Sequence, residues 1–142
     1  MTIPASLFMA SAAVTGLLGS IHLLYTFHGN MLHPRDKATQ LAMERSHPVI
    51  TRHTTVWLAT KGFNASHGLG VVLFALVFGY LAGWHSGLLQ QSAFLQALGM
   101  VVLLAYVLLA WRYWFQIPLL GIALASALFA AGLAATWMEL AL

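Results

Sequence analysis

The chain has 142 residues, of which 61% are hydrophobic and only 6% are charged. A soluble domain carries about a quarter charged residues, so this composition excludes a water-soluble fold and is typical of a protein solvated by lipid. The net charge of +3 does not indicate nucleic-acid binding, because four of the six Lys and Arg residues lie in one segment between two apolar runs. The chain has no cysteine, which excludes disulfides, thiolate metal sites and iron–sulfur clusters.

Four apolar runs are each long enough to cross a bilayer as a helix, which takes about 20 residues. They span residues 7–27, 56–84, 94–114 and 117–137. Hydrocarbon does not tolerate unpaired backbone groups, and none of the runs alternates with period two, so each is predicted to be an α-helix. The predicted fold class is all-α: a polytopic integral membrane four-helix bundle, with residues 1–142 forming one transmembrane domain. No Lys or Arg precedes the first run, which predicts a retained helix and not a signal peptide.

The first connection, residues 28–55, is predicted to contain a short helix of its own. Asp36 can cap a segment that runs to about Arg45, and Pro48 ends it. The basic residues of this connection would hold it to anionic lipid. We therefore interpret it as a connector on the membrane surface, in preference to a partner-binding helix.

The distribution of basic residues predicts the topology. The first connection is rich in Lys and Arg, and the turn between the third and fourth runs follows Arg112, whereas the second connection, near residues 85–92, has neither Lys nor Arg. By the positive-inside rule the first and third connections are cytoplasmic. Both termini then lie outside (N-out/C-out), and the predicted location is the cell inner (plasma) membrane.

Small residues recur at every fourth position on three of the predicted helices, a spacing that lets helix backbones approach closely. They are Ala12, Gly16 and Ser20 on the first helix; Gly62, Ser66 and Gly70, then Gly79 and Gly83, on the second; and Ala127, Ala131 and Ala135 on the fourth. We interpret these stripes as seams inside the bundle. One of them could equally be a face of a homo-oligomer, and spacing does not separate the two.

Polar side chains inside membrane helices are costly, so their positions indicate where a site would lie. His22 lies in a stripe of polar residues on the first helix, and Lys61, Asn64 and His67 follow one side of the second. The two helices are consecutive and antiparallel, so we expect His22 to approach His67. The third helix can add Tyr106 and Arg112. The predicted ligand-binding residues, in a site that is positively charged and open to the cytoplasm, are His22, Lys61, Asn64, His67, Tyr106 and Arg112.

Each of these residues also has a structural interpretation. His22 and His67 could each hydrogen-bond a carbonyl or hydroxyl group across the bundle. Lys61 could extend its ammonium group to the membrane surface, and Arg112 could simply fix the topology. The loop histidines match no zinc spacing, so no metal ligands are predicted.

A catalytic role is poorly supported by the sequence. Only three carboxylates are present and none lies within an apolar run, so neither a Ser–His–Asp triad nor an acid–base pair can be assembled. No catalytic residue is predicted, and a non-enzymatic role is favoured.

The runs GSIHLLYTFHG, HPRD, ITRHTTVW, GFNASHGLG, FGYLAGWH and RYWFQIP resemble a family of small, uncharacterised bacterial inner-membrane proteins with four predicted helices. The resemblance covers nearly the whole chain. It implies a topology and no catalytic activity.

Three functions therefore compete. The first is a structural, accessory or small-ligand-binding membrane bundle, whose partners are the lipid bilayer and a second copy or another membrane protein. The second is a redox protein that holds b-type haem between His22 and His67. The third is a carrier or channel for a small solute or a proton, lined by the polar stripes. Colour distinguishes the haem protein, and flux into liposomes distinguishes the carrier.

Overall fold

The computed structural model describes residues 1–140, and of Leu140 only the backbone. Six helices follow one another: α1 Ile3–Phe27, α2 Lys37–Arg45, α3 Val56–Trp84, α4 Ser86–Gln91, α5 Ala93–Tyr113 and α6 Gln116–Leu140. No strand occurs among the described residues, so the all-α prediction is confirmed. Four helices, α1, α3, α5 and α6, are long and apolar enough to cross a membrane.

The bounds of the four long helices agree closely with the prediction, but the short helix α4 was not predicted. The run predicted at residues 56–84 is α3, whereas α1 begins earlier than predicted and α6 continues further. The second connection, for which the sequence predicted no helix, contains α4. The side chain of Leu89 is fully buried, and the amide of Gln96 donates to the carbonyl groups of Leu89 and Gln90 at 3.2 and 2.7 Å. These contacts satisfy carbonyl groups that a helix end otherwise leaves unpaired.

The short helix predicted inside the first connection is present as α2. The carboxylate of Asp36 accepts hydrogen bonds from the backbone of Ala38 and Thr39, at 3.2 and 2.9 Å, and from the hydroxyl of Thr39 at 2.7 Å. These donors, led by the hydroxyl and the backbone N–H of Thr39, hold the pKa of Asp36 below its usual value. Asp36 is thus the N-cap that the sequence predicted.

The chain divides into two compact units. The larger unit comprises Met1–Leu18 and the described part of Val71–Leu142, and the smaller unit comprises Gly19–Gly70. An aromatic cluster forms the core of the larger unit. The ring of Phe129 lies 4.9 Å from that of Phe8 and 5.5 Å from that of Phe78, between ring centroids, and all three side chains are buried.

Within the larger unit, small residues let α1, α3 and α6 approach one another. A Cβ atom on Gly16 would lie 3.2 Å from that of Ala75, and one on Gly79 would lie 3.5 Å from that of Ala12. The hydroxyl of Ser11 also donates to the carbonyl of Ala125 at 2.7 Å. The predicted seam between the first two long helices is confirmed at these positions.

Two of the predicted small-residue seams are not seams within the chain. Gly62 and Ser66 on α3 are exposed, as are Ala127 and Ala131 on α6. Small residues at every fourth position form a stripe along a helix, but the spacing does not show whether that stripe packs against another helix. On α6 the large side chain of Phe129 decides which face is buried. Ala125 and Gly132 lie on the same face as Phe129, and both are buried.

Candidate functional site

The smaller unit holds most of the titratable side chains of the protein. Gly19–Gly70 contains five of the six Lys and Arg residues, six of the seven histidines and two of the three carboxylates. Five basic residues against two acidic ones give this unit +3, which equals the net charge of the whole chain because Arg112 and Glu139 cancel. Any site for an anionic group therefore has its strongest electrostatic support here.

The imidazole rings of His22 and His67 are in contact at the heart of the predicted site. Their centroids are 5.0 Å apart and their planes cross at 71°, an edge-to-face arrangement. The side chain and the backbone of Asn64 lie within hydrogen-bonding reach of the His22 ring. The predicted approach of His22 to His67 is confirmed.

Gly68 makes this approach possible. A Cβ atom at this position would lie 2.8 Å from Cγ of Leu23 and 3.2 Å from Cδ2 of His22. Both distances are shorter than ordinary van der Waals contact, so any larger residue would push α1 away from α3 at the level of His22.

A narrow polar crevice begins where α1 ends and α3 starts. It is lined by Thr26, Leu32, His33, Trp57, Thr60, Lys61 and Asn64. Its volume of about 10 Å³ is room for about one water molecule. The crevice can therefore admit one oxygen atom of a larger group, but not the group itself.

The two threonines that line the crevice are bonded within their own helices. The hydroxyl of Thr26 donates to the carbonyl of His22 at 2.8 Å, and that of Thr60 donates to the carbonyl of Val56 at 2.8 Å. The hydroxyl of Thr26 thus bonds to the main chain of His22. Each hydroxyl oxygen keeps its capacity to accept a further hydrogen bond.

The ammonium group of Lys61 makes no ion pair with either carboxylate of its own unit, Gly19–Gly70, which the structure describes in full. Asp36 caps α2, and Glu44 accepts from the amide of Gln40 at 2.9 Å. The Lys61 ammonium instead lies 5.9 Å from the centroid of the Phe27 ring. A cation in these surroundings favours an anionic partner.

Five crevice residues were not among the predicted site residues: Thr26, Leu32, His33, Trp57 and Thr60. The ring of His33, from the first connection, packs edge-to-face on Trp57 with centroids 4.7 Å apart. Helical periodicity identifies residues that share one helix face, and His33 precedes α2 in irregular chain. The sequence offered only a weak signal for this contact: His33 and Trp57 both lie close to the predicted membrane boundary.

Tyr106 and Arg112 belong to α5, in the larger unit. Tyr106 is partly buried and packs against the hydrophobic core of that unit. Arg112 is exposed, and its guanidinium lies 5.3 Å from the ring centroid of Tyr113. Their participation in a site with His22 stays a prediction.

The arrangement of His22 and His67 does not fit haem. Two imidazoles that hold one metal ion in trans, each about 2 Å from it, direct a ring nitrogen at the metal and place their ring centroids about 6 Å apart. The observed ring centroids are 5.0 Å apart, which is too short for a metal ion between two ring nitrogens. For other metal ions, no group of three or more His, Cys, Asp or Glu side chains suited to binding occurs among the described residues.

Comparison with known proteins adds no relative from which a role could be transferred. No protein-family model matches the chain, and no match was found among curated proteins or solved structures.

Proposed function

We propose that the protein is a multi-pass bacterial inner-membrane protein whose smaller unit binds the phosphate group of an anionic lipid at the cytoplasmic surface. The observation that carries this proposal is the crevice beside Lys61. It joins one uncompensated ammonium group to hydroxyl and amide side chains, in a space that admits a single oxygen atom. A phosphate oxygen would enter the crevice while the rest of the head group stays outside it.

The four long apolar helices and the charge bias of the first connection support the topology in this proposal. In the N-out/C-out arrangement the smaller unit faces the cytoplasm. Val49 and Ile50 are fully exposed between Arg45 and Arg52, and a pair of apolar residues flanked by cations is typical of a loop that rests on an anionic membrane. The resemblance to small four-helix inner-membrane proteins supports the same location.

Reporter fusions test the topology. A reporter active only in the cytoplasm should work when inserted at Lys37 and fail when fused after Leu142, a position outside the described residues. Cytoplasmic activity of the fusion at the C-terminal end would overturn the N-out/C-out arrangement.

Lipid retention tests the binding site. Protein purified from membranes is exchanged into nanodiscs that contain phosphatidylglycerol and phosphatidylcholine, and bound lipid is measured by native mass spectrometry. The parent should retain phosphatidylglycerol preferentially, and Lys61→Gln should lose that preference. Lys37→Gln is the matched control, because Lys37 is an exposed lysine of α2 and lies outside the crevice.

The variant Lys61→Arg separates binding in the crevice from simple extension of a cation to the membrane surface. Arginine keeps the charge and the reach, but its planar guanidinium is larger than an ammonium group. Simple extension predicts that Arg behaves like Lys, whereas the narrow crevice predicts a weakened preference. Equal retention by the parent, Lys61→Gln and Lys37→Gln would refute the proposed site.

The carrier function has less support. The core of the larger unit is filled by the packed rings of Phe8, Phe78 and Phe129, which is typical of a closed bundle. Flux of protons or small solutes into liposomes remains the measurement that would establish a carrier.

A further inference from the structure

A second polar depression lies in the larger unit, where α4 meets α5 near the end of α6. It has a volume of about 230 Å³ and is lined by Gln90, Gln91, Ala93, Gln96 and Trp137. Pockets that bury drug-sized molecules measure about 300–1,000 Å³. This depression is therefore large enough for a molecule with a single six-membered ring, and too small for a chain of several such rings.

The amides of this depression are held in place by the protein. Both N–H groups of Gln96 are committed to the carbonyl groups of Leu89 and Gln90, and the amide of Gln90 donates to the hydroxyl of Thr2 at 3.3 Å. The side-chain oxygens of Gln90 and Gln96 therefore remain available as hydrogen-bond acceptors of fixed position. Gln91 is exposed and makes no side-chain hydrogen bond within residues 1–140, so it offers both a donor and an acceptor.

The remaining wall is aromatic, and the described residues that line the depression are all uncharged. The indole of Trp137 is 63% exposed, and no Lys, Arg, Asp or Glu lines the depression within the described part of the chain. A ligand that matches this lining is neutral, has several hydroxyl groups for the amides, and has an apolar face for the indole.

We propose that this depression binds a single neutral sugar ring. The hydroxyl groups of the ring would bond to the three glutamine amides while its C–H face packs on Trp137. The same chemistry is offered by a free monosaccharide and by the head group of a glycolipid. The inference does not depend on the phosphate site or on the topology, since the residues involved all lie in the larger unit.

Ligand-detected saturation-transfer NMR tests the inference on the full-length protein. The protein is purified in an amine-oxide detergent, because glucoside and maltoside detergents carry the proposed ligand. Methyl β-glucoside is the probe, and choline is the charged competitor that an indole could also attract. Transfer to the glucoside should be seen with the parent, and choline should not displace it.

The variants assign the site. Trp137→Ala should abolish the transfer and Trp137→Phe should keep it within a few-fold, because phenylalanine preserves an aromatic face. Gln91→Ala should weaken binding roughly 5- to 10-fold, the usual effect of losing one neutral hydrogen bond. Trp111→Ala is the matched control, since Trp111 is 71% exposed and does not line the depression.

Nanodiscs that contain glucosyl diacylglycerol separate the two sources of the ring. Binding of the glycolipid alone would assign the site to a lipid head group, and binding of both would include the free sugar. The inference is overturned if neither probe binds the parent, if choline displaces the glucoside, or if Trp137→Ala binds as well as the parent.

Discussion

Gly99 on α5 lies where the aromatic core of the larger unit leaves no room for a side chain. A Cβ atom at this position would lie 2.8 Å from Cε1 of Phe78 and would also overlap the ring of Phe129. The ring of Phe129 cannot move away easily, because Phe8 packs against it. We therefore predict that Gly99→Ala destabilises the protein, although alanine is the better helix former.

The change in the free energy of unfolding caused by Gly99→Ala is the sum of two opposing contributions. Replacing a glycine inside a helix by alanine favours the helix by about 0.5–1 kcal/mol. Overpacking a filled core costs roughly 1–3 kcal/mol. The difference lies between about 0 and 2.5 kcal/mol with a central value of about 1.2 kcal/mol, and at roughly 2–4 °C per kcal/mol for a chain of about this size the melting temperature should fall by about 2–5 °C.

Gly62 provides the matched control. A Cβ atom on Gly62 would meet nothing within 4 Å, so Gly62→Ala should leave the melting temperature unchanged or raise it. Both variants and the parent are purified in the same detergent, and unfolding is followed by far-ultraviolet circular dichroism. A Gly99→Ala protein that melts at or above the parent would refute the packing of the aromatic core described here.

Three further predictions concern single side chains. Ser11→Ala removes the hydrogen bond to Ala125 and should lower stability by about 0.6–1 kcal/mol, measured by the same melting assay. The pKa of Asp36 is lowered in the folded protein, so the stability that it gives α2 should be full above its unfolded pKa of 3.8 and be lost as the pH falls through the lower, folded value. NMR of the amides that Asp36 caps would show this loss, and amide signals that do not change at low pH would contradict it. If the rings of His22 and His67 only pack, His22→Gln and His67→Gln should be as stable as the parent. If the two rings support the crevice, both variants should lose lipid retention to the same extent. Different phenotypes of the two variants would contradict a common role.

Helix positions were predictable because hydrophobic length alone decides them. The run at residues 56–84 is α3, with the same bounds. The N-cap at Asp36 was predictable because a capping carboxylate bonds to backbone N–H groups only two and three residues further along the chain. The short helix α4 was missed because its stability depends on a side chain outside it, the amide of Gln96. No local pattern within residues 85–92 records that contact.

The candidate site was predictable in part, for a related reason. His22 and His67 could be brought together from periodicity and from the antiparallel order of two consecutive helices, and they are in contact. His33 could not be placed, because it lies in irregular chain whose path depends on packing against Trp57. The buried side of a small-residue stripe was also unpredictable, since the large partner residues decide it.

A structural explanation accounts for most of the polar residues in the smaller unit, but not for all of them. The hydroxyl groups of Thr26 and Thr60 bond to carbonyl groups of their own helices, which is sufficient reason for a threonine to be tolerated in an apolar helix. Lys61 is explained less completely, because extension of its ammonium group to the membrane surface supplies no counter-ion, and its contact with Phe27 does not neutralise the charge. A charge retained at the edge of hydrocarbon is expected to have a counter-ion. The adjoining crevice admits one oxygen atom, and the most abundant anionic oxygens at a membrane surface belong to lipid phosphates, which is why the proposed function is centred on Lys61.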